Sequence, residues 1–269
     1  MTFFDDEEKA IKYIQSINLF EIEFVNYSPG LLLFFISVYF RFLYRNWINN
    51  TEGQYPPDFV NHKKEYMMEM MRFDDYEDNG FSQNAVESKR TKELIKDYKN
   101  RYGKNSDLSR VLFIPNLLLN KESVNSVDLY YENYKRVLSK HSKKILSYKK
   151  NYPNYVLAFL LFDESPAYIE TEKRIEHTIK PGDCSGPARY YVPLYDRKFV
   201  DLLVRLDIKY VLWAMPYKET FFNSRRGLKK LYLVDIDRLK QKQKYINYDY
   251  KKVYCIEVDD EQQEEEHNK

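Results

Sequence analysis

YVLAFLLF, Tyr155–Phe162, is an unbroken apolar run of strand length, and its reading decides the fold. Pro153 stands just before it and the acidic pair Asp163-Glu164 just after. A strand that alternates apolar and polar residues leaves one face in water; one that is apolar throughout is covered on both faces. Sheets of that kind carry helices packed on them. Downstream, Asp196–Asp207 is expected to be a helix, with Asp196 as its N-cap and Phe199, Leu202, Leu203 and Leu206 facing the core. Lys209–Met215, KYVLWAM, then repeats the strand pattern and ends at Pro216. Strand, helix, strand at this spacing makes a β-α-β unit whose strands are parallel neighbours. The expected class is α/β, with α+β as the alternative. The sheet is mixed and flanked by helices, in one main domain over 1–258 with 1–81 set apart as a candidate N-terminal subregion.

Upstream the signals are local. Asp5–Asn18 reads as a helix, because Ile11, Ile14 and Ile17 recur every three residues behind an acidic first turn. Phe20–Val25 reads as a short strand and Asn26–Gly30 as a turn closed by Pro29-Gly30. Leu31–Trp47 begins with LLLFFISVYF; a helix and a buried strand pair both fit, since periodicity vanishes when every position is apolar. Ten apolar residues are too few to span a bilayer as a helix, which leaves a buried element or a membrane-surface contact. His62–Phe73, with four Met, reads as helical, and Asp74–Gly80, DDYEDNG, as an acidic loop without calcium-loop spacing. Ser82–Tyr102 is a further helix. Val111–Leu119 and Val124–Tyr130 are strands, the first interrupted by Pro115. Tyr131–Tyr152 is the clearest helix, with an apolar stripe of Tyr134, Val137, Leu138, His141, Ile145, Tyr148 and Tyr152. Leu231–Val234 and Val253–Val258 are strand candidates, and the acidic stretch 259–269 is a disordered tail.

Composition narrows the classes. Gly numbers only 7, which argues against propellers, sandwiches and small barrels built from many tight turns. Tyr supplies 26 residues, each an apolar body with a polar tip. The net charge of +2 hides an uneven spread. Met1–Glu87 holds 7 basic and 15 acidic residues, Ser88–Asn151 holds 16 basic and 6 acidic, and Glu257–Lys269 holds 7 acidic and one Lys. A basic middle between acidic ends is either a solvated helical surface or an anion-binding face. The two cysteines, Cys184 and Cys255, are spaced for neither a disulfide framework nor a zinc site. Reduced thiols and an acidic N-terminus without a basic leader region point to the cytoplasm, with no membrane span. Neither a Walker loop nor a G-x-G-x-x-G fingerprint is present, so no nucleotide cofactor is indicated.

Candidate site residues sit at element ends. Asp163 and Glu164 leave a covered strand at its carboxyl end, where open α/β sheets place ligands. Glu87 lies on the Ser82–Tyr102 helix and Asp128 in the strand Val124–Tyr130. Four such carboxylates meeting in one place would hold Mg²⁺ or Mn²⁺ and stabilise a phosphoryl transition state; the plainer alternative is that Asp163 and Glu164 cap a loop or pair with lysines. His141, on the apolar stripe, is either a core histidine bonded to backbone or a catalytic base. Arg136, Lys140, Lys143 and Lys150 share a helix face, with Arg225, Arg226, Lys229 and Lys230 downstream; this set is suited to nucleic-acid phosphates, with tyrosines to stack on bases.

Two resemblances follow. PGDCSGPAR, Pro181–Arg189, is similar to the nucleophile turn of trypsin-like serine proteases in Asp183, Ser185, Gly186 and Pro187, but Cys184 displaces Ser185 from the family's spacing. These are turn formers, and we read the stretch as a turn. The order helix, strand, strand, strand, helix, strand over Ser82–Pro216 resembles the PD-(D/E)XK, restriction-endonuclease-like fold. The resemblance implies a metal-dependent nuclease with acidic ligands on the second and third core strands and a glutamate from the first helix, here Asp128, Asp163, Glu164 and Glu87. His141 or Lys173 would assist the attacking water. The lysine two positions after an acid is lacking, and the long helix interrupts the family's hairpin. The alternative function is a non-catalytic module that binds nucleic acid or protein through the basic helix face.

Overall fold

The computed structural model describes residues 7–50, 57–73, 127–165, 167–170, 188–216, 229–242 and 245–254. Its elements are α1 (Glu7–Ser16), β1 (Ile22–Asn26), α2 (Pro29–Tyr39), α3 (Arg41–Tyr44), β2 (Ile48–Asn49), β3 (Phe59–Asn61), β4 (Tyr66–Phe73), α4 (Val127–Ser142), α5 (Ile145–Asn151), β5 (Val156–Asp163), β6 (Tyr168–Glu170), β7 (Ala188–Tyr190), α6 (Arg197–Leu203), β8 (Tyr210–Ala214), β9 (Leu231–Asp235), α7 (Ile236–Lys242) and β10 (Val253–Tyr254). A seven-stranded mixed sheet runs β1-β9-β8-β5-β4-β3-β2, and a small antiparallel sheet runs β10-β6-β7. The class is α/β, as the apolar run 155–162 predicts.

That run is the middle of the sheet. β5 pairs parallel with β4 on one side and with β8 on the other. Its side chains alternate between two cores: Leu157, Phe159 and Leu161 join one, Ala158, Leu160 and Phe162 the other. The first core is covered by α4, α5, α6 and α7, the second by α1 and α2. Both faces of β5 are therefore dry, which is why the sequence shows no polar alternation. The β5–α6–β8 unit is present, and Asp196 caps α6 by accepting from Lys198 N at 2.8 Å. The ambiguous run after Gly30 is helix α2, because Ser28 accepts from Leu31 N at 3.2 Å and Pro29 occupies the first turn.

Three expectations are corrected. His62–Phe73 is a hairpin end and strand β4, antiparallel to β3. The methionines suggest a helix by propensity, but they line both faces of a covered strand: Met67 and Met71 go to one core and Met68 to the other. The hairpin turn is hidden because it lacks glycine; Glu65 takes the left-handed conformation instead, at φ 53°. The stretch expected as strand Val124–Tyr130 enters α4 at Val127, so Asp128 lies on a helix. The apolar stripe begins earlier than read, with Val127 and the fully buried Tyr130 ahead of Tyr134. Finally, Tyr131–Tyr152 is two helices, broken at Lys143-Lys144. There His141 Nδ1 and Lys144 Nζ both reach the Glu69 Oε1 of β4, at 2.7 and 3.1 Å. Residues three apart are same-face neighbours on a helix, and both here serve one buried carboxylate.

Candidate functional site: a cleft between two parallel strands

Strands β1 and β9 are parallel neighbours, with Ile22 opposite Leu231 and Phe24 opposite Leu233. The helix that follows β1, α2, packs Leu31, Phe34, Phe35 and Val38 into one core. The helix that follows β9, α7, packs Ile236 and Leu239 into the other. The chain thus leaves two adjacent strands towards opposite faces of the sheet. A crevice opens outside the carboxyl ends of strands wherever this happens, and ligands of open α/β sheets sit there. A cleft of 760 Å³ lies at this point, lined by Asn26, Ser28, Lys209, Tyr210, Asp235 and Asp237 among others.

Local structure builds it. A register shift between Phe24 and Asn26 interrupts the β1–β9 ladder, and Val25 and Asn26 line the cleft beside it. Such bulges re-aim side chains at sheet ends. Asn26 Nδ2 is buried without a hydrogen-bond partner among the described residues. A buried amide donor left unpaired costs about 1–3 kcal/mol, so the position invites an acceptor. Ser28 Oγ donates to Asp235 Oδ2 at 2.6 Å, while Asp235 Oδ1 accepts from Asp237 N at 3.1 Å. One buried carboxylate therefore joins the starts of both helices. Gly30 faces Tyr210: a methyl carbon on Gly30 would collide with the tyrosine hydroxyl.

The cleft is charge-balanced. Lys209 Nζ lies 2.6 Å from Asp237 Oδ2 and 3.7 Å from Asp235 Oδ1. The hydrogen bond to Asp237 holds the Lys209 ammonium above its ordinary range, and the same bond holds the Asp237 carboxyl below its own. Arg238 Nη1 donates to Tyr27 O at 2.7 Å. Burial, and then the Asp235 charge, push the Tyr210 phenol up. Tyr27 is half exposed, its ring set edge-on to Phe24 at 5.8 Å.

The residues singled out from sequence fall elsewhere. Asp163 is fully buried at the carboxyl end of β5, accepting from Tyr130 Oη at 2.5 Å, Trp213 Nε1 at 3.2 Å and Ser165 N at 3.2 Å. Glu164 receives Arg72 Nε at 2.8 Å and Nη2 at 2.9 Å, a bidentate pair. Both act as anchors between strands and helix. Asp128 is bound to Lys198 Nζ at 3.0 Å and is exposed. Two residues along a helix turn the side chain by about 200°, so with Tyr130 facing Asp163, Asp128 faces away from it. Asp163 and Glu164 are consecutive in the chain but are held by different partners, Tyr130 and Trp213 for the first and Arg72 for the second, and Asp128 is held by Lys198. No group of three His, Cys, Asp or Glu suited to a metal occurs among the described residues. Arg136, Lys140, Lys143 and Lys150 are exposed, the first two on α4, Lys143 at the break and Lys150 on α5. Glu87, Lys173, Arg225, Arg226, Cys184 and the PGDCSGP turn lie outside the described residues, as does the tail 259–269.

Sequence reading missed the cleft residues and, His141 apart, a second titratable cluster, in which His141 is bonded to a carboxylate. Glu69 is buried in β4 under His141, Lys144 and Tyr148, with Asp58 beside it at the start of β3. Burial alone would raise the Glu69 carboxyl; His141, Tyr148 and the Lys144 charge outweigh that and hold it low. Burial, with the Glu69 charge next, pushes Asp58 up to about 7. The one available signal for the cleft was the order strand, Ser-Pro-Gly, apolar run, which is a helix N-terminus directly after a strand.

No family model matches the chain, and neither the curated proteins nor the solved structures contain a match to it.

Proposed function

We propose that this protein binds a small polar ligand in the cleft at the carboxyl ends of β1 and β9. The observation that carries the proposal is the switch point itself: parallel neighbours whose following helices diverge to opposite faces, with a 760 Å³ cleft where they part. The ligand class follows from the lining. Lys209 and Arg238 balance Asp235 and Asp237, and Lys209 is already paired with an acid. A polyphosphate would find no excess positive field there, whereas a neutral or zwitterionic ligand would lose little on entry. Asn26 Nδ2 asks for a carbonyl or hydroxyl oxygen, and the exposed Tyr27 ring offers a face for a flat or sugar-like group. Amino acids, nucleosides and monosaccharides meet these requirements.

A thermal-shift screen of the full chain against those three classes tests the reading. A ligand at a hundred times its Kd stabilises the folded state by about 2.7 kcal/mol. At least one class should raise the melting temperature, and Asp237→Ala or Asn26→Leu should abolish the rise. No response from any class, or a response that both variants retain, argues against the cleft.

A second reading rests on a separate surface. Lys140, Lys143 and Lys150 are exposed and have no ion-pair partner among the described residues, which suits a nucleic-acid backbone. Lys140→Glu with Lys143→Glu should then weaken binding of a labelled oligonucleotide and flatten its salt dependence. Metal-dependent cleavage asks more, since Asp163 and Glu164 would have to release the partners they now hold. Cleavage of that oligonucleotide with Mg²⁺ or Mn²⁺, lost in Glu164→Ala, would support it.

A further inference from the structure

We propose that the outer surface of α2 and α3 seats the protein on an anionic membrane surface. α2 is an eleven-residue helix without a single charged side chain. Its polar residues are turned inward: Ser37 Oγ donates to Phe34 O at 2.6 Å, and Tyr39 Oη donates to Ile17 O at 2.8 Å. A helix on a protein surface normally shows water a polar face. This one shows Leu33, exposed at 61%, with Leu32 and Ile36 half-buried beside it. Phe40 follows on the same line as Leu33, seven residues on, and its ring lies 5.9 Å from that of Phe42, exposed at 67%.

Charge decides what the ridge meets. Arg41, the first residue of α3, and Arg45, its C-cap, stand on either side of Phe42 in the chain, both exposed and without an ion-pair partner among the described residues. Two guanidinium groups at the rim of an apolar ridge match a bilayer surface, where phosphates lie above acyl chains. Glu8 of α1 acts on Tyr44 of α3, and it is paired with Lys12 at 2.9 Å. α2 is about 16 Å long, against about 30 Å for a bilayer core, so it lies on the surface and does not cross it. A protein partner would need about 800 Å² from this side, which a convex ridge of three exposed apolar side chains does not supply alone.

Co-sedimentation of the full chain with phosphatidylcholine vesicles, with and without phosphatidylserine, tests this. The protein should pellet with the phosphatidylserine vesicles at low salt and be released as salt rises. Arg41→Glu with Arg45→Glu should weaken binding by more than about tenfold, and Leu33→Ala with Phe42→Ala should do the same. All four side chains are exposed, so an unchanged melting temperature checks that these variants are folded. Arg205→Glu, an exposed position just after α6 on the other core's side, should pellet like the unaltered protein. The proposal is overturned if the unaltered protein stays in the supernatant with both vesicles, or if the ridge variants pellet as it does. A concentration-dependent dimer in sedimentation velocity that Phe42→Glu dissolves would instead assign the ridge to a second copy of the chain.

Discussion

Ser28 Oγ donates a 2.6 Å hydrogen bond to Asp235 Oδ2, across 207 positions of sequence, and so ties the N-cap of α2 to the carboxyl end of β9. The same hydroxyl accepts from Leu31 N. Ser28→Ala removes a cap and leaves a buried carboxylate short of one donor, so the protein should lose about 1–3 kcal/mol in urea unfolding. Ser28→Thr keeps the hydroxyl and should retain most of that stability.

Gly30 and Tyr210 form a tight pair. A methyl group on Gly30 collides with the Tyr210 hydroxyl, while Tyr210 Cζ would stand 3.6 Å away, an ordinary contact. Gly30→Ala should therefore destabilise by about 1–3 kcal/mol. Tyr210→Phe deletes the colliding atom, so the double variant should be more stable than the sum of the singles predicts. A double-mutant cycle measures that coupling.

Asp163 is a structural anchor, and its removal should show it. Asp163→Ala leaves Tyr130 Oη and Trp213 Nε1 buried without this acceptor, a loss of about 2–5 kcal/mol. Asp163→Asn still accepts from both and should cost less. A carboxylate kept for metal chemistry would behave oppositely: its loss would leave stability unchanged or improved.

The Asp58 carboxyl, pushed up to about 7, gives a pH signature. Its pKa is higher folded than unfolded, so the folded state holds its proton more tightly. That stability is complete below pH about 4 and is lost as pH rises through about 7. Asp58→Asn should flatten this decline in melting temperature between those limits. Glu69 has the opposite sign: held low by His141, Tyr148 and Lys144 against its burial, it contributes above the ordinary carboxylate range and fails as acid protonates it.

The sheet's centre was legible in the sequence because burial on both faces leaves short apolar runs bounded by breakers: YVLAFLLF starts just after Pro153 and Asn154, and YVLWAM follows Lys209 and ends at Pro216. Asp196 was legible as a cap for the same local reason. β4 was not, because its hairpin turns on Glu65 in a conformation that glycine usually marks, and because methionine favours helix in isolation. The cleft was not, because it is a property of which strands become neighbours. β1 and β9 are some two hundred residues apart, and nothing local to either says that they pair. Carboxylates at strand ends drew attention to Asp163, whose partners Tyr130 and Trp213 come from elements 33 and 50 residues away. Chemistry at a strand end is readable from sequence; whether neighbours have already used it is not.

Backbone amide chemical shifts of the full chain, recorded while amino acids, nucleosides and monosaccharides are added in turn, put the cleft to the most direct trial. Asn26, Gly30, Lys209 and Asp237 should move first and saturate together with one of these classes. Movement confined to Lys140, Lys143 and Lys150, or to residues around Asp163 and Glu164, would place the ligand on another surface and contradict the account.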